Sequence, residues 1–256
     1  MADDDLADDD LARRLNKATH GGPAVAPAPV ADLADAYRVS RSTRDLALAA
    51  GDRLAGYKIG LTSEPARATY GAAEPALGYV LASTVLGPGQ SLSTAAMFAP
   101  RAEVEIAFIL GRPLSGPGIT AEDVLAATAA IAPAFEIVDS RWSGGPTTLA
   151  MLAADNTNAA YAFLGPQVPV PRDLSAITCT LTIGDRVVPG ASTAVLNGNP
   201  AAAIAWLANH LATTGDELPA GALILTGTLC APTPFTGGET LAADVPGLGS
   251  LTLATS

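Results

Sequence analysis

The feature that most constrains the fold is a series of short apolar runs, each bounded by Gly, Pro or Asp, that starts after Gly51. Short apolar runs between turn residues are typical of β-strands. A chain with this texture is therefore expected to be rich in β-structure from residue 56 onward. The runs are GYKIGL at 56–61, GYVLAS at 78–83, AEVEIAFIL at 102–110, AFEIVDS at 134–140, AAYAFLG at 159–165, ITCTLTIG at 177–184, RVVPG at 186–190 and ALILTGT at 222–228.

Helical segments interrupt the strands. Thr120 can cap a helix with acids in its first turn that continues over 124–132, and Asn199-Pro200 opens a second helix that runs to residue 215. Residues 11–50 also have a helical pattern, broken at GGPAVAPAPV, and 31–49 is predicted as one amphipathic helix. Gly184-Asp185, between two of the runs, predicts a tight hairpin. The sequence thus predicts an α+β fold with a helical N-terminal portion over 11–55 and a β-rich body over 56–256.

Charge and composition exclude several classes of protein. The 256 residues carry 14 Lys plus Arg and 25 Asp plus Glu, a net charge of −11, whereas a nucleic-acid-binding surface needs to be basic. Six aspartates fall in the first ten residues, which predicts a disordered acidic tail over 1–10. The start has no apolar stretch like that of a secretory signal, and no apolar run is long enough to span a bilayer. Cys179 and Cys230 have neither a disulfide pattern nor a zinc-binding spacing. We therefore expect a cytoplasmic protein without nucleic acid or membrane partners.

Three carboxylates are candidates for a metal site. Glu103 and Glu105 share one face of a strand that is otherwise apolar on both faces, so two like charges are directed into apolar surroundings. Glu136 lies in another strand-like apolar run. Three carboxylates favour a hard cation such as Mg²⁺ or Mn²⁺, which would relieve the cost of burying them. The alternative, which the spacing leaves open, is that these glutamates pair with arginines; the candidates are Arg101, Arg112 and Arg141.

Lys58 is the only lysine after residue 17, and it lies in an apolar strand between two glycines. Such a lysine is either a surface residue with a buried stem or a site residue with a depressed pKa. Polar clusters beside apolar strands supply candidate substrate-binding residues, although such clusters are more often turns or caps. The candidates are Thr62, Ser63, Asp155, Asn156 and Thr228. The chain has no serine-hydrolase, P-loop or Rossmann motif, and His20 and His210 do not form a hydrolytic site.

Several segments occur in an order that resembles a known enzyme family. They are GYKIGLTS at 56–63, PRAEVEIAFILGRPLSGPG at 100–118, PAFEIVDSR at 133–141, ADN at 154–156, VLNGNPAAAIAWLANHLA at 195–212 and GLGSLT at 247–252. The order resembles that of the 2-oxopent-4-enoate hydratase and 4-oxalocrotonate decarboxylase family, a metal-dependent branch of the fumarylacetoacetate hydrolase superfamily. The resemblance covers about residues 30 to 254, and the shared order of several motifs makes it specific.

The resemblance implies a mixed-sheet β-roll with a lid in the N-terminal portion. It also implies Mg²⁺ or Mn²⁺ held by Glu103, Glu105 and Glu136, with Lys58 as a proton shuttle or substrate anchor. The implied substrates are small 2-oxo acids or their 2-hydroxydienoate enols, which would react through an enolate stabilised by the metal. A homo-oligomer is expected with it, and a role in aromatic catabolism, with a secondary-metabolite route as the alternative.

One departure from the family bears on the reaction. Many hydratases of the family carry an acid after the lysine motif, within a Pro-Asp-aromatic-Gly stretch, whereas this chain has Ala76 in Pro75-Ala76-Leu77-Gly78. Because that acid would help to deliver water, its loss favours decarboxylation of a 2-oxo-3-enedioate. Hydration of a 2-hydroxypenta-2,4-dienoate is the alternative, and a catalytically reduced binding member of the family is a third possibility.

Overall fold

The computed structural model describes the backbone of residues 2–256 and the side chains from Asp9 onward. Within these residues the helices are α1 (Ala2–Thr19), α2 (Leu33–Ala49), α3 (Glu64–Tyr70), α4 (Ala121–Ala127), α5 (Leu149–Ala154) and α6 (Pro200–Ala212). The strands are β1 (Leu54–Gly60), β2 (Ala76–Leu81), β3 (Val85–Leu86), β4 (Ser91–Leu92), β5 (Arg101–Leu110), β6 (Thr128–Val138), β7 (Ala159–Leu164), β8 (Thr178–Ile183), β9 (Arg186–Ala191), β10 (Leu223–Leu225), β11 (Thr233–Pro234), β12 (Thr240–Val245) and β13 (Gly249–Thr255).

Two mixed sheets form the body of the molecule. The larger sheet has the strand order β2-β1-β10-β5-β6-β7-β3, and β11 pairs with one end of β5. Its pairs are antiparallel except β1 with β10 and β3 with β7, which are parallel. The smaller sheet has the order β4-β13-β12-β8-β9. This is the predicted α+β fold with a β-rich body, and every apolar run given above contributes residues to a strand.

Strand β5 is covered on both faces, as its composition predicts. Val104, Ile106 and Phe108 lie in the main hydrophobic core. Ala107, on the opposite face, belongs to a smaller core with residues of β2, β6, β7 and β10. Glu105 shares the face of Ala107 because side chains alternate along a strand. The strand therefore carries a carboxylate into the interior of the sheet.

The N-terminal segment differs from the sequence prediction. Residues 2–10, expected to be a disordered tail, are helical in α1. The side chains of Leu11 and Leu15 are buried and fix the second half of this helix in the core. Asp9 and Asp10 pair with the arginines four residues later, and such pairs support the helix beyond its buried part. Among the described residues, no helix is both long and apolar enough to cross a membrane.

The helix predicted over 124–132 is shorter than expected. Thr120 caps α4 through a capping box with Asp123, as its sequence indicates, but α4 ends at Ala127 and β6 begins at the next residue. Residues 128–132 instead pair with β5. The antiparallel pairing and its burial outweigh the strong intrinsic helical preference of the alanines in this stretch. The predicted hairpin at Gly184 joins β8 and β9, and Gly184 has the positive φ of 57° that such a turn requires.

Candidate metal centre and cavity

The three candidate metal ligands converge. Glu103 and Glu136 are direct partners in the antiparallel pairing of β5 with β6, so their side chains lie on the same face of the sheet. Glu105 lies on the same face, two residues further along β5. One carboxylate oxygen from each residue lies within 4.8 Å of the others. Glu105 and Glu136 are 0% and 1% exposed, and Glu103 is partly exposed.

Arginine pairing, the alternative explanation of this acid cluster, is not what the structure shows. Arg141 pairs with Asp155, and Arg112 donates a hydrogen bond to the Ala126 carbonyl. Within the described residues, neither these two arginines nor Arg101 forms an ion pair with the glutamate cluster.

Burial and mutual repulsion raise the pKa values of the acids. Burial, followed by the charge of Glu136, raises the pKa of Glu103 to about 8. Burial, Glu136 and Glu103 raise the pKa of Glu105 well above its usual range. A cation among these oxygens would relieve both effects, since it replaces lost hydration and offsets the repulsion.

The hydrogen bonding of the carboxylates also fits a cation. The Gly227 backbone N–H donates to Glu105 Oε2 at 2.8 Å. In the described part of the chain Glu105 Oε1 has no hydrogen-bond partner, and neither oxygen of Glu136 has one apart from its ion pair with Lys58. Buried carboxylate oxygens are normally satisfied, so Glu105 Oε1 and Glu136 Oε2, which have no partner in the described part of the chain, are donors of the kind that a hard divalent ion takes.

Lys58 is beside this cluster. Its Nζ lies 3.0 Å from Glu136 Oε1 and donates to the Thr157 carbonyl at 3.2 Å, and the residue is 3% exposed. It is therefore a buried lysine beside the cluster and not a surface lysine. Burial lowers the pKa of Lys58, but the charges of the three glutamates outweigh burial and the pKa is raised. The depressed pKa expected from the sequence is wrong for the metal-free protein, because the sequence did not reveal how close the acids are.

Two glycines form the channel through which the Lys58 stem passes. A Cβ at Gly78 would lie 2.9 Å from Lys58 Cγ and 2.7 Å from the Asn156 carbonyl oxygen. A Cβ at Gly60 would lie 3.3 Å from Lys58 Nζ and 2.6 Å from Thr157 Cγ2. Only residues without a side chain allow the lysine to approach the glutamates by this route.

The segment 156–158 closes the other side of the lysine. Its residues all have positive φ, between 51° and 57°, which is unusual for non-glycine residues and especially for Thr157, which is β-branched. The strain is supported by hydrogen bonds to β2: the Asn156 amide bonds both backbone groups of Tyr79, and the Thr157 hydroxyl donates to the Leu77 carbonyl. This arrangement holds the Thr157 carbonyl where it accepts from Lys58.

A cavity of about 1120 Å³ opens beside the cluster. Lys58 and Glu103 line it, together with three of the predicted substrate-binding residues, Thr62, Ser63 and Thr228. The Ser63 hydroxyl caps α3 and the Thr228 hydroxyl bonds the Cys230 backbone. Within the described residues the Thr62 hydroxyl has no such bond, which leaves it available to a ligand.

The other two predicted substrate-binding residues do not line this cavity. The carboxylate of Asp155 accepts from the Arg141 backbone N–H and guanidinium and from Ser140, and the Asn156 amide is occupied by β2. Both residues border a smaller cavity of about 80 Å³ near α1, α2, β2 and β7. Their polar atoms bind protein groups, and through 156–158 they support the position of Lys58.

Residues 38–254 match the family described as fumarylacetoacetate (FAA) hydrolase, C-terminal. The chain belongs to the fumarylacetoacetate hydrolase family. This confirms the resemblance drawn from the motifs, and the β-rich body with its mixed sheets is the fold of this family.

Relatives within the fumarylacetoacetate hydrolase family include both hydratases and decarboxylases. The chain is 35% identical to a 2-hydroxyhexa-2,4-dienoate hydratase from Comamonas testosteroni over 94% of each chain. It is 35% identical to a 4-oxalocrotonate decarboxylase from Pseudomonas sp. (strain CF600) over 87% of this chain and 85% of that one. Its structure is similar to that of 4-oxalocrotonate decarboxylase from Pseudomonas putida G7, complexed with magnesium and adipate, with a TM-score of 0.92 and 29% identity over 97% of each chain. The protein is an enzyme of the lyase type.

Sequence reasoning missed several residues at this site. Thr157 and Asn158 line the cavity, and the Asn158 side-chain oxygen is buried without a hydrogen-bond partner in the described part of the chain. No sequence signal identifies them, because their role depends on strained backbone and on contacts with β2. Arg101 also lines the cavity. It lies two residues before Glu103, so the strand alternation that identified the glutamates could have identified it.

Proposed function

We propose that this protein is a divalent-metal-dependent lyase of small 2-oxo acids, and that its main reaction is decarboxylation of a 2-oxo-3-enedioate. The observation that carries the proposal is the convergence of three carboxylates, with orphaned oxygens, beside a buried lysine at the wall of a cavity. Glu103, Glu105 and Glu136 would hold Mg²⁺ or Mn²⁺. When bound, the metal supplies Lewis-acid polarisation of the 2-oxo oxygen of the substrate.

Lys58 provides the proton. Its ion pair with Glu136 and its hydrogen bond to the Thr157 carbonyl both favour the protonated form of Nζ, so Lys58 is proposed to enter the reaction as an acid. In decarboxylation the bond from C5 to the distal carboxyl carbon breaks, and the electron pair delocalises through the 3-ene to the 2-oxo oxygen. Nζ then donates a proton to the resulting dienolate. Thr62, Ser63 and Thr228 are proposed to contact the substrate.

The position of Ala76 favours decarboxylation over hydration. Ala76 is the pairing partner of Gly60 and shares the face of Lys58 in the β1–β2 pair. An acid at this position would point toward Lys58 Nζ, but the alanine offers no group to orient water. Asp139, an acid of the cavity wall outside the metal cluster, accepts hydrogen bonds from the backbone N–H groups of Phe98 and Ala99. Among the described wall residues, no carboxylate outside the metal cluster is therefore free to activate water.

The test compares two substrates on the Mg²⁺-loaded protein. We expect CO₂ release from 2-oxohex-3-enedioate to exceed water addition to 2-hydroxypenta-2,4-dienoate, both followed by mass spectrometry. Ala76→Asp should raise hydration, and Ala76→Asn, of the same shape but without charge, should not. Fast hydration by the unmodified protein with no CO₂ release would replace this proposal with the hydratase alternative. Binding of 2-oxo acids without any turnover would identify a catalytically reduced member.

The cellular setting is also a proposal. We propose a cytoplasmic enzyme of aromatic catabolism that assembles as a homo-oligomer. Light scattering of the purified full chain tests the assembly, and a mass equal to one 25.6 kDa chain would contradict it.

A further inference from the structure

The wall of the cavity carries a positively charged side chain that has no role in the reaction described above. The described residues of its wall include two cationic side chains, Lys58 and Arg101. Lys58 is neutralised by Glu136. Arg101 is exposed, and within the described residues its guanidinium forms no ion pair or hydrogen bond. Its charge is therefore available to a ligand in the cavity.

The neighbouring acids do not take up this charge. Of the effects on the pKa of Glu103, the charge of Arg101 is the smallest. The Glu103 carboxylate belongs to the metal cluster. Asp139 is held by the backbone N–H groups of Phe98 and Ala99, at 2.9 and 2.7 Å. An anion that reaches Arg101 could therefore pair with a guanidinium that forms no ion pair within the described residues.

The spacing of Arg101 from the metal cluster matches the length of a dicarboxylate. Arg101 and Glu103 lie on the same face of β5, two residues apart, which is about 6.7 Å along a strand. A six-carbon dicarboxylate in extended form spans about 6 Å between its carboxyl carbons. A 2-oxo acid held by its first two carbons at the glutamate cluster would direct its far end along β5 toward the guanidinium.

We propose that Arg101 binds the distal carboxylate of a dicarboxylate substrate and so selects 2-oxo diacids over 2-oxo monoacids of equal length. The inference rests on the proposed function, since it assumes a 2-oxo acid at the metal cluster. The planar guanidinium is suited to bidentate contact with a carboxylate. Because this carboxylate leaves as CO₂ in decarboxylation, the contact stabilises the bound substrate and not the transition state. Arg101 therefore acts on substrate binding, and its loss raises KM without lowering kcat.

Calorimetric titration of the Mg²⁺-loaded full chain with two unreactive probes tests the inference. 2-Oxohexanedioate and 2-oxohexanoate share the 2-oxo carboxylate head and differ in the distal carboxylate. We expect the unmodified protein to bind the diacid about tenfold tighter or more. Arg101→Met should reduce that difference to about twofold with unchanged affinity for the monoacid, and Arg101→Lys should restore part of it. Arg172→Met, at an exposed position away from the cavity, is the matched control.

The outcomes separate the two proposals. If the monoacid binds but the diacid is no tighter, or if the difference survives in Arg101→Met, the carboxylate subsite is wrong while the proposed function stands. Equal weakening of both probes in Arg101→Met would show that Arg101 acts through the metal cluster or the fold, which also overturns the subsite. If neither probe binds the unmodified protein, the proposed function fails, and the subsite with it.

Discussion

Lys58 is the residue whose surroundings say most about the chemistry. It is buried between a carboxylate and a carbonyl, and its charge is the closest positive charge to the glutamate cluster among the described residues. Replacing it removes a proton donor but leaves the metal ligands intact. In Lys58→Met we expect turnover to fall by about 10²-fold or more, while Mg²⁺ affinity is kept. Lys17→Met, the change of the only other lysine, lies at an exposed position of α1 and is the control. A rate in Lys58→Met close to that of the control would assign Lys58 a structural role.

At this scale the sequence predicted the charged residues of the site but not their supports. Glu103 and Glu105 are identified by strand alternation, and Glu136 and Lys58 by being charged within apolar runs. Thr157 carries no such signal, since a β-branched residue at positive φ is disfavoured locally and is held only by tertiary contacts. Asp155, predicted to bind substrate, is instead bonded to Arg141.

At the scale of elements, the β1–β2 pair acts as a guide for the lysine. Gly78 pairs with Lys58, and its missing side chain leaves the space that the lysine stem fills. Gly78→Ala places a Cβ against Lys58 Cγ and the Asn156 carbonyl, and we expect a destabilisation of about 1–3 kcal/mol. Turnover should fall by about tenfold because Nζ is displaced. Chemical denaturation and kinetics measure the two effects. Gly87→Ala, where a Cβ meets only the far end of Gln90 at 3.9 Å, should change neither. Unchanged turnover in Gly78→Ala would mean that the lysine does not depend on this channel.

The elements that the sequence missed have little local signal. Helices α3 and α5 are seven and six residues long, too short to show a clear apolar period. The hairpin of β12 and β13 alternates small apolar and polar residues, and its pairing with β8 and β4 stabilises it. By contrast, helix α6 begins where Asn199 and Pro200 predict, with the Asn199 side chain accepting from the Ala201 N–H. Cap residues in the sequence therefore predict where helices begin, whereas intrinsic helix preferences do not predict well where they end.

At the scale of the whole molecule, the N-terminal helix is divided into an exposed and a buried part. Asp9 and Asp10 form exposed pairs with Arg13 and Arg14, which contribute little to stability. Deletion of residues 2–10 is therefore expected to leave the melting temperature within about 2 °C and turnover unchanged. Leu15→Ala, in the buried part of α1, should instead cost about 2–5 kcal/mol. A large loss of stability or activity on deletion would show that this segment docks on another part of the molecule or on a second copy.

The carboxylate cluster links the stability of the whole molecule to pH and to metal. Glu103 and Glu105 have pKa values raised by burial and repulsion, so between about pH 5 and 7 the folded metal-free protein binds more protons at these residues than the unfolded chain does. The free energy of unfolding must then fall as pH rises through this window. Two groups act in the opposite direction: His210, whose pKa is lowered by burial, and Cys230, whose pKa is lowered to about 7 by its hydrogen bond with Cys179 and which titrates only near the upper end of this window. We expect the two carboxylates to outweigh them.

We therefore expect the melting temperature of chelator-treated protein to fall by at least about 3 °C from pH 5 to pH 7. Saturating Mg²⁺ should abolish the fall, because the ion takes the place of the protons, and its stabilising effect should grow with pH. Glu105→Gln removes one of the two titrating groups, so the dependence on pH should become shallower and the stabilisation by Mg²⁺ weaker. Glu217→Gln, at an exposed position, is the control. Calorimetric scans at several pH values measure all three proteins. A melting temperature that rises from pH 5 to pH 7 in the metal-free protein, or a Glu105→Gln variant that Mg²⁺ stabilises as strongly as the control, would show that these carboxylates are not the groups that couple folding to the metal.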